Sequence, residues 1–291
     1  MAEKSAHTIV VRAIRLDFDP AEAGVWHNGS ALYSHMFNSL SAFLPRGEAF
    51  FVRAVHATAD IGLAGTAFGA ELDAFSRQEM AHGRQHARCN QAITVGRPIM
   101  TQFDRYLARA FDLVYRLSSK RMRLAYTMAV EHLTSTLARV LLSRPERLTQ
   151  SKSDFALLWL WHGLEELEHK STACIRYRQI GGGYIGRASA MLVMGLPFLF
   201  EWSFLVVGLL AYDKMLWRRH VFKDALAFWI SPSLWKGLGE VIQYFSFGFD
   251  PDARDDSEMV AVWRRYPALL ERLERAQPTA VAKRAHLKHA A

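Results

Sequence analysis

Apolar residues recur along most of this chain at intervals of three and four, the period of an amphipathic helix. Helices are predicted at about residues 30–44, 47–60, 66–93, 101–142 and 154–179. Breakers separate them: Pro45-Arg46-Gly47, Gly96-Arg97-Pro98, Arg144-Pro145 and Gly181-Gly182-Gly183. Ahead of them, residues 8–18 alternate in polarity, which predicts an extended lead-in or a short strand. Long helices joined by short connections predict an antiparallel bundle.

The pattern changes after the glycine run. Residues 190–212, AMLVMGLPFLFEWSFLVVGLLAY, contain Glu201 as their one charge and reach the length of a membrane span. Pro197 and Glu201 favour a buried or surface-inserted helix instead, because a mid-bilayer Glu is costly and Pro interrupts the hydrogen-bond ladder. A Trp-rich apolar stretch follows at 222–249, with Ser231-Pro232 as a helix start, and 252–277 reads as a final solvated helix. The expected organisation is a lead-in over 1–29, a helical bundle over 30–182, an apolar helical extension over 183–277 packed on the bundle or on a membrane, and a basic tail over 278–291.

Composition narrows the class. With 291 residues, 51% hydrophobic, 18 Gly and 9 Pro, the chain can bury a sizeable core and is neither disordered nor fibrous. The net charge of +8 is concentrated between Arg97 and Arg123 and in the tail from Arg275. Neither cluster carries a nucleic-acid motif, so solvated helix faces and then an anionic membrane surface are the expected uses. Two cysteines without metal or disulfide spacing, and no apolar leader, point to a reducing compartment: cytoplasmic, with a peripheral position on the inner membrane. Twelve His against two Cys mean that a metal would be held by imidazole and carboxylate.

Such ligands line up on two predicted helices. Glu79, His82 and His86 are spaced by three and four, and His162, Glu166 and His169 by four and three, so each set occupies one helix face. Glu131 lies on a stripe of Leu124, Thr127, Met128, Thr134, Ser135 and Ala138, and Glu48 on one of Leu44, Phe51, Val52 and Val55. A carboxylate on such a face must be neutralised, and a metal does so directly. One Glu from each of two helices with Glu-x-x-His from each of two others is the ligand pattern of a ferritin-like dimetal carboxylate bundle. The predicted fold is therefore all-α, a ferritin-like four-helix bundle with further apolar helices after it. The candidate ligands are Glu48, Glu79, His82, His86, Glu131, His162, Glu166 and His169. Glu165 and Glu168 project away from Glu166 and are expected behind the ligands, with Asp60, Asp73 or Glu165 orienting an imidazole. His132, Trp159 and Trp161 are expected to be core residues, and His35 and His56 have no acidic partner at helical spacing.

The segments Leu44-Pro45-Arg46-Gly47-Glu48-Ala49-Phe50-Phe51, Gln78-Glu79-Met80-Ala81-His82 with His86 and Asn90, Glu131-His132, and Leu158 to Lys170 resemble the bacterial predicted metal-dependent hydrolases, a family placed among ferritin-like bundles. The likeness covers about residues 16–180. His162, Glu166 and His169 are also similar to the motif of di-iron N-oxygenases that oxidise aryl amines, where the extra His adds a seventh ligand; His86 departs from that pattern as an eighth. Hard carboxylates with imidazole suit two Fe ions, ahead of Mn or Zn. The first reading is a di-iron enzyme that activates O2 to oxidise a hydrophobic or amine substrate. The alternative is a dinuclear hydrolase acting through a metal-bound water. Expected partners are that small substrate, O2, an electron-donor protein, a membrane surface touched peripherally and a second copy in a homodimer, with no nucleic acid.

Overall fold

A computed structural model of the chain describes residues 9–58, 63, 65–143, 148, 151 and 153–276. Every regular element among them is helical: α1 (Ala31–His56), α2 (Ala67–Thr94), α3 (Ile99–Leu117), α4 (Lys120–Leu142), α5 (Asp154–His169), α6 (Thr172–Gln179), α7 (Tyr184–Tyr212), α8 (Arg219–Trp229), α9 (Pro232–Gln243), α10 (Ser257–Trp263) and α11 (Pro267–Ala276). Ser30, Thr66, Ser119 and Ser153 start α1, α2, α4 and α5 by accepting a backbone N–H of the first turn on their hydroxyls.

The expected break at Pro45-Arg46-Gly47 does not occur, and α1 runs through it. Proline removes the N–H that would have bonded the carbonyl four residues back. That carbonyl belongs to Ser41, and Asn90 of α2 replaces the missing donor, its Nδ2–H lying 2.8 Å from the Ser41 oxygen. Three other predicted helices are each divided. Residues 101–142 part at Ser118-Ser119, where Ser119 caps α4; residues 154–179 part at Lys170-Ser171; and 252–277 forms α10 and α11. Ser231-Pro232 does begin a helix, with Pro232 in the first turn of α9. The Arg144-Pro145 breaker, Asp60 and the tail over 278–291 lie outside the described residues.

Helices α1 and α2 pack together, as do α4 and α5, and the two pairs meet through α1 on α4 and α2 on α5. Every residue of α5 is buried, because α2, α4, the lead-in, α10 and α11 all cover it. The lead-in is extended, without strand pairing, and alternates as predicted: Arg12, Ile14 and Leu16 point inward while Val11, Ala13 and Arg15 face out. The Gln78 and Gln85 side-chain amides of α2 donate to the Val10 and Ile14 carbonyls, and Asp154 of α5 accepts from the Asp17 N–H. The lead-in thus closes the seam between α2 and α5.

The glycine run falls between α6 and α7. Long enough and apolar enough to cross a membrane by length and composition, α7 instead lies along α1 and α4, burying Ala190, Met191, Leu205 and Leu209. Pro197 does not interrupt it. At its C-terminus, Asp213 accepts from Arg97 at 2.8 Å and contacts His35 Nε2 at 3.0 Å, joining α7 to α1 and to the α2–α3 connection. His35, without an acidic partner at helical spacing, has one from across the fold.

Candidate metal centre

Helical spacing brings the predicted side chains to one place in the middle of the bundle. Glu48 comes from α1, Glu79 and His82 from α2, Glu131 from α4, and His162, Glu166 and His169 from α5. All are buried. Two groups have ligand atoms within 4.8 Å of one another: Glu48, His82 and His162, and Glu79, Glu166 and His169. Glu131 joins the second, its Oε2 3.4 Å from His169 Nε2. Glu166 bridges them, with Oε1 2.8 Å from His162 Nε2 and 3.6 Å from His169 Nε2.

Buried polar atoms are normally hydrogen-bonded. Here both carboxylate oxygens of Glu48, Glu79 and Glu131, together with His82 Nδ1 and His169 Nε2, have no hydrogen-bond partner among the described residues. These atoms all face the same interior space. Left unpaired, buried carboxylates cost several kcal/mol each, so the donor set calls for cations. Oxygen and imidazole donors without sulfur fit a divalent transition metal, and their number and two-part grouping fit two ions.

The imidazoles are set for that task by what holds their far nitrogens. His82 Nε2 lies 3.0 Å from Glu165 Oε2, a contact that holds the ring with Nδ1 turned to the interior, where it has no hydrogen-bond partner among the described residues. His169 Nδ1 lies 2.7 Å from Gln78 Oε1. The orientation of that amide is fixed because Gln78 Nε2 donates to the Val10 carbonyl and to Glu168, so His169 donates from Nδ1 and turns Nε2 inward. The third case is a chain. Asn90 donates to the Ser41 carbonyl freed by Pro45, which leaves Asn90 Oδ1 to accept the Ser41 hydroxyl proton at 2.7 Å. Ser41 Oγ then accepts from His86 Nδ1 at 2.9 Å. His86 Nε2, bare in turn, accepts from His162 Nδ1 at 2.6 Å, and His162 Nε2 faces Glu166.

His86 therefore stands apart from the other candidates. Both of its nitrogens are engaged by protein groups and neither triad contains it, so it lies behind His162 instead of facing the ligand space. Glu165 and Glu168 also lie behind the ligands. Glu165 accepts from Arg12, Trp161 and His82, and Glu168 from Arg12, Arg264 and Gln78. Asp73 is exposed and takes no part. His132 is half-buried with its Nε2 on the Glu240 carbonyl at 3.0 Å, and Trp159 and Trp161 are buried packing residues. Spacing could not indicate Gln78, which points away from the Glu79 direction, or Arg12, which arrives from the lead-in.

Charge in the cluster is strongly redistributed. Burial, then the neighbouring carboxylates, holds Glu48 and Glu131 well above the usual carboxylate range, and burial raises Glu79. Burial would raise Glu166 too, but the imidazoles of His162 and His169 beside it outweigh burial and keep Glu166 well below that range. His169 is held well above its ordinary value by Glu131 and Glu166 against burial, while burial and His162 push His82 and His86 well below theirs. Glu165, raised by burial against the pull of Arg12, reaches about 8.

Residues 10–255 match the family described as predicted metal-dependent hydrolase. The chain belongs to that family. Comparison with curated proteins and with solved structures finds no match. The family match spans the lead-in, the bundle, α7–α9 and the segment up to Asp255.

Proposed function

We propose that this member of the predicted metal-dependent hydrolases is a dinuclear enzyme, in which Glu48, Glu79, Glu131 and Glu166 with His82, His162 and His169 hold two metal ions, and that its reaction is hydrolysis. The observation that carries the proposal is the convergence of eight buried, partnerless ligand atoms on one space. Two such ions, when bound, acidify a water and polarise an ester, amide or phosphoryl oxygen.

The chain's own residues supply the rest. Four carboxylates roughly balance two divalent ions, and complete burial excludes bulk water. Arg12 and Trp161 keep Glu165 aimed at His82, and Gln78 keeps His169 in register. The hydrogen-bonded series from His162 Nδ1 to His86 Nε2 and from His86 Nδ1 to Ser41 Oγ keeps the His162 ring oriented with Nε2 towards the centre. Glu165 and Glu168 are committed to arginines, so neither serves as the base.

A second reading, oxidation of a hydrophobic or amine substrate by O2 on two iron ions, is favoured by the carboxylate-rich set without a free general base. It requires electrons from a donor protein. The experiment that separates the two loads stripped protein with Fe(II), Mn(II) or Zn(II) and measures turnover of ester, amide and phosphoester panels beside O2 uptake. Hydrolysis by any loaded form, lost in His169→Ala, supports the first reading. O2 uptake by the ferrous form alone, with every panel inert, overturns it in favour of the second.

A further inference from the structure

Helices α7, α8 and α9 cover the α1–α4 side of the bundle, α8 resting on α1 and α9 on α4 with α7 touching both. Their outer faces are apolar to an unusual degree. On α7 the exposed positions Leu192, Leu196, Leu199, Phe200, Phe204 and Val207 fall three and four apart, so they form one stripe opposite the buried one. Exposed apolar residues recur on α8 at Phe222, Leu226 and Trp229, and on α9 at Trp235 and Ile242. Trp217, in the α7–α8 connection, is 80% exposed. A water-facing surface seldom carries so many large apolar side chains close together in the chain.

Charge identifies the occupant. Lys214, Arg218, Arg219, Lys223 and Lys236 are exposed among these aromatic residues, and no side-chain ion pair or hydrogen bond joins them to any described residue. Each acid of α7–α9 and their connections is drawn off this face. Glu201 takes the Tyr106 hydroxyl of α3, Asp213 binds Arg97 and His35, Asp224 accepts from Ser30 at 2.5 Å, and Glu240 is buried against Arg139 and Arg254. Even the Trp235 indole N–H is satisfied locally, by the Trp229 carbonyl at 3.0 Å. A face of apolar stripes and tryptophans edged by unpaired cations matches an anionic bilayer surface. A second copy would set cations against cations, and α7 lies along α1 and α4 with its buried face turned to the bundle.

We infer that α7, α8 and α9 form a docking face that lies in the surface of an anionic phospholipid bilayer, with the bundle held outside it. The test is cosedimentation of the full-length, metal-loaded protein with vesicles of phosphatidylcholine alone and of phosphatidylcholine with one quarter phosphatidylglycerol. Binding should favour the anionic vesicles and weaken with added salt. A combined Lys214→Gln, Arg218→Gln, Lys223→Gln variant should lose about fivefold in affinity per cation, on the order of a hundredfold in all. Trp217→Ser with Trp229→Ser should weaken binding to both vesicle types; unchanged metal content and helical circular dichroism would show that these surface variants still fold. Absence of binding to either vesicle, or binding indifferent to the triple neutralisation, overturns the inference. A dimer in analytical ultracentrifugation that dissolves in the tryptophan variant, without vesicle binding, overturns it in favour of a second copy.

Discussion

Glu79 and His169 are completely buried at the centre of the bundle, while Phe200 and Trp217 stand mostly in solvent on its flank. Side chains that normally seek water are inside, and side chains that normally avoid it are outside. The two regions reach this state by different physics. In the bundle, seven ionisable residues converge from α1, α2, α4 and α5, and their bare ligand atoms face one another because partners behind them, Glu165, Gln78 and His86, turn each imidazole inward. On the α7–α9 face no such second layer exists; the acids have been pulled away and the cations left unpaired. Polar inversion inside is a device for holding something small and cationic, and apolar inversion outside is one for resting on something broad and anionic.

If the bundle interior is built around cations, taking them away should be the most damaging change. Stripping with a chelator should lower stability by about 4 kcal/mol for each ion present at a thousandfold excess over its Kd, read as a fall in Tm. The pH dependence should also change sign. Above about pH 7, His82 and His86, held below their ordinary values, are neutral in the folded and the unfolded chain and contribute nothing. Glu48, Glu131 and His169 are held above theirs, so the stability they give the metal-free chain is present below their ordinary values and is lost as pH rises through the raised ones. The loaded protein instead binds its ions more tightly over the same interval, because binding expels those protons. Parallel slopes in melts of stripped and loaded protein would contradict this account.

The layer behind the ligands should matter next. Gln78→Leu, Glu165→Gln and His86→Phe should each weaken metal affinity by about 10–100-fold in competition with a chromophoric chelator, with the bundle still helical. Smaller again is the clamp that fastens the apolar face to the bundle. Burial works to raise Asp213, yet the hydrogen bonds from His35 and Arg97 hold it at about 2, below its ordinary 3.8. The stability it contributes is present above that ordinary value and lost as pH falls towards 2. Asp213→Asn should cost about 1–3 kcal/mol in denaturant unfolding and flatten this acid limb. Least affected should be the outer face itself, where Leu196→Ser should shift stability in water by no more than about 0.5 kcal/mol. A large loss there would show that the face is covered by protein.

Much of the inner region was legible in the sequence because helical geometry is local. Spacings of three and four place Glu79 beside His82, and His162 beside Glu166 and His169, without knowledge of any other helix. What escaped was set by contacts between elements. Pro45 reads as a helix end until Asn90, 45 residues later, supplies the Ser41 carbonyl with a donor. His86 shares a face with His82 and so reads as a ligand, but the positions of Ser41 and His162 occupy both its nitrogens. Arg12 carries no motif, and only the folded path of the lead-in brings it to Glu165 and Glu168. The apolar segment was legible as apolar, and only its packing on α1 and α4 showed which half of it remains uncovered.

The claim on which the rest depends is that the seven converging side chains hold two metal ions. Metal analysis of the protein purified from cells grown with iron, manganese and zinc, set beside Glu131→Ala and His169→Ala, tests it most directly. The account predicts close to two ions per chain in the native protein and a loss of at least one in each variant, with helical content preserved. Fewer than one ion per chain in the native protein, or metal content untouched by both substitutions, would contradict it.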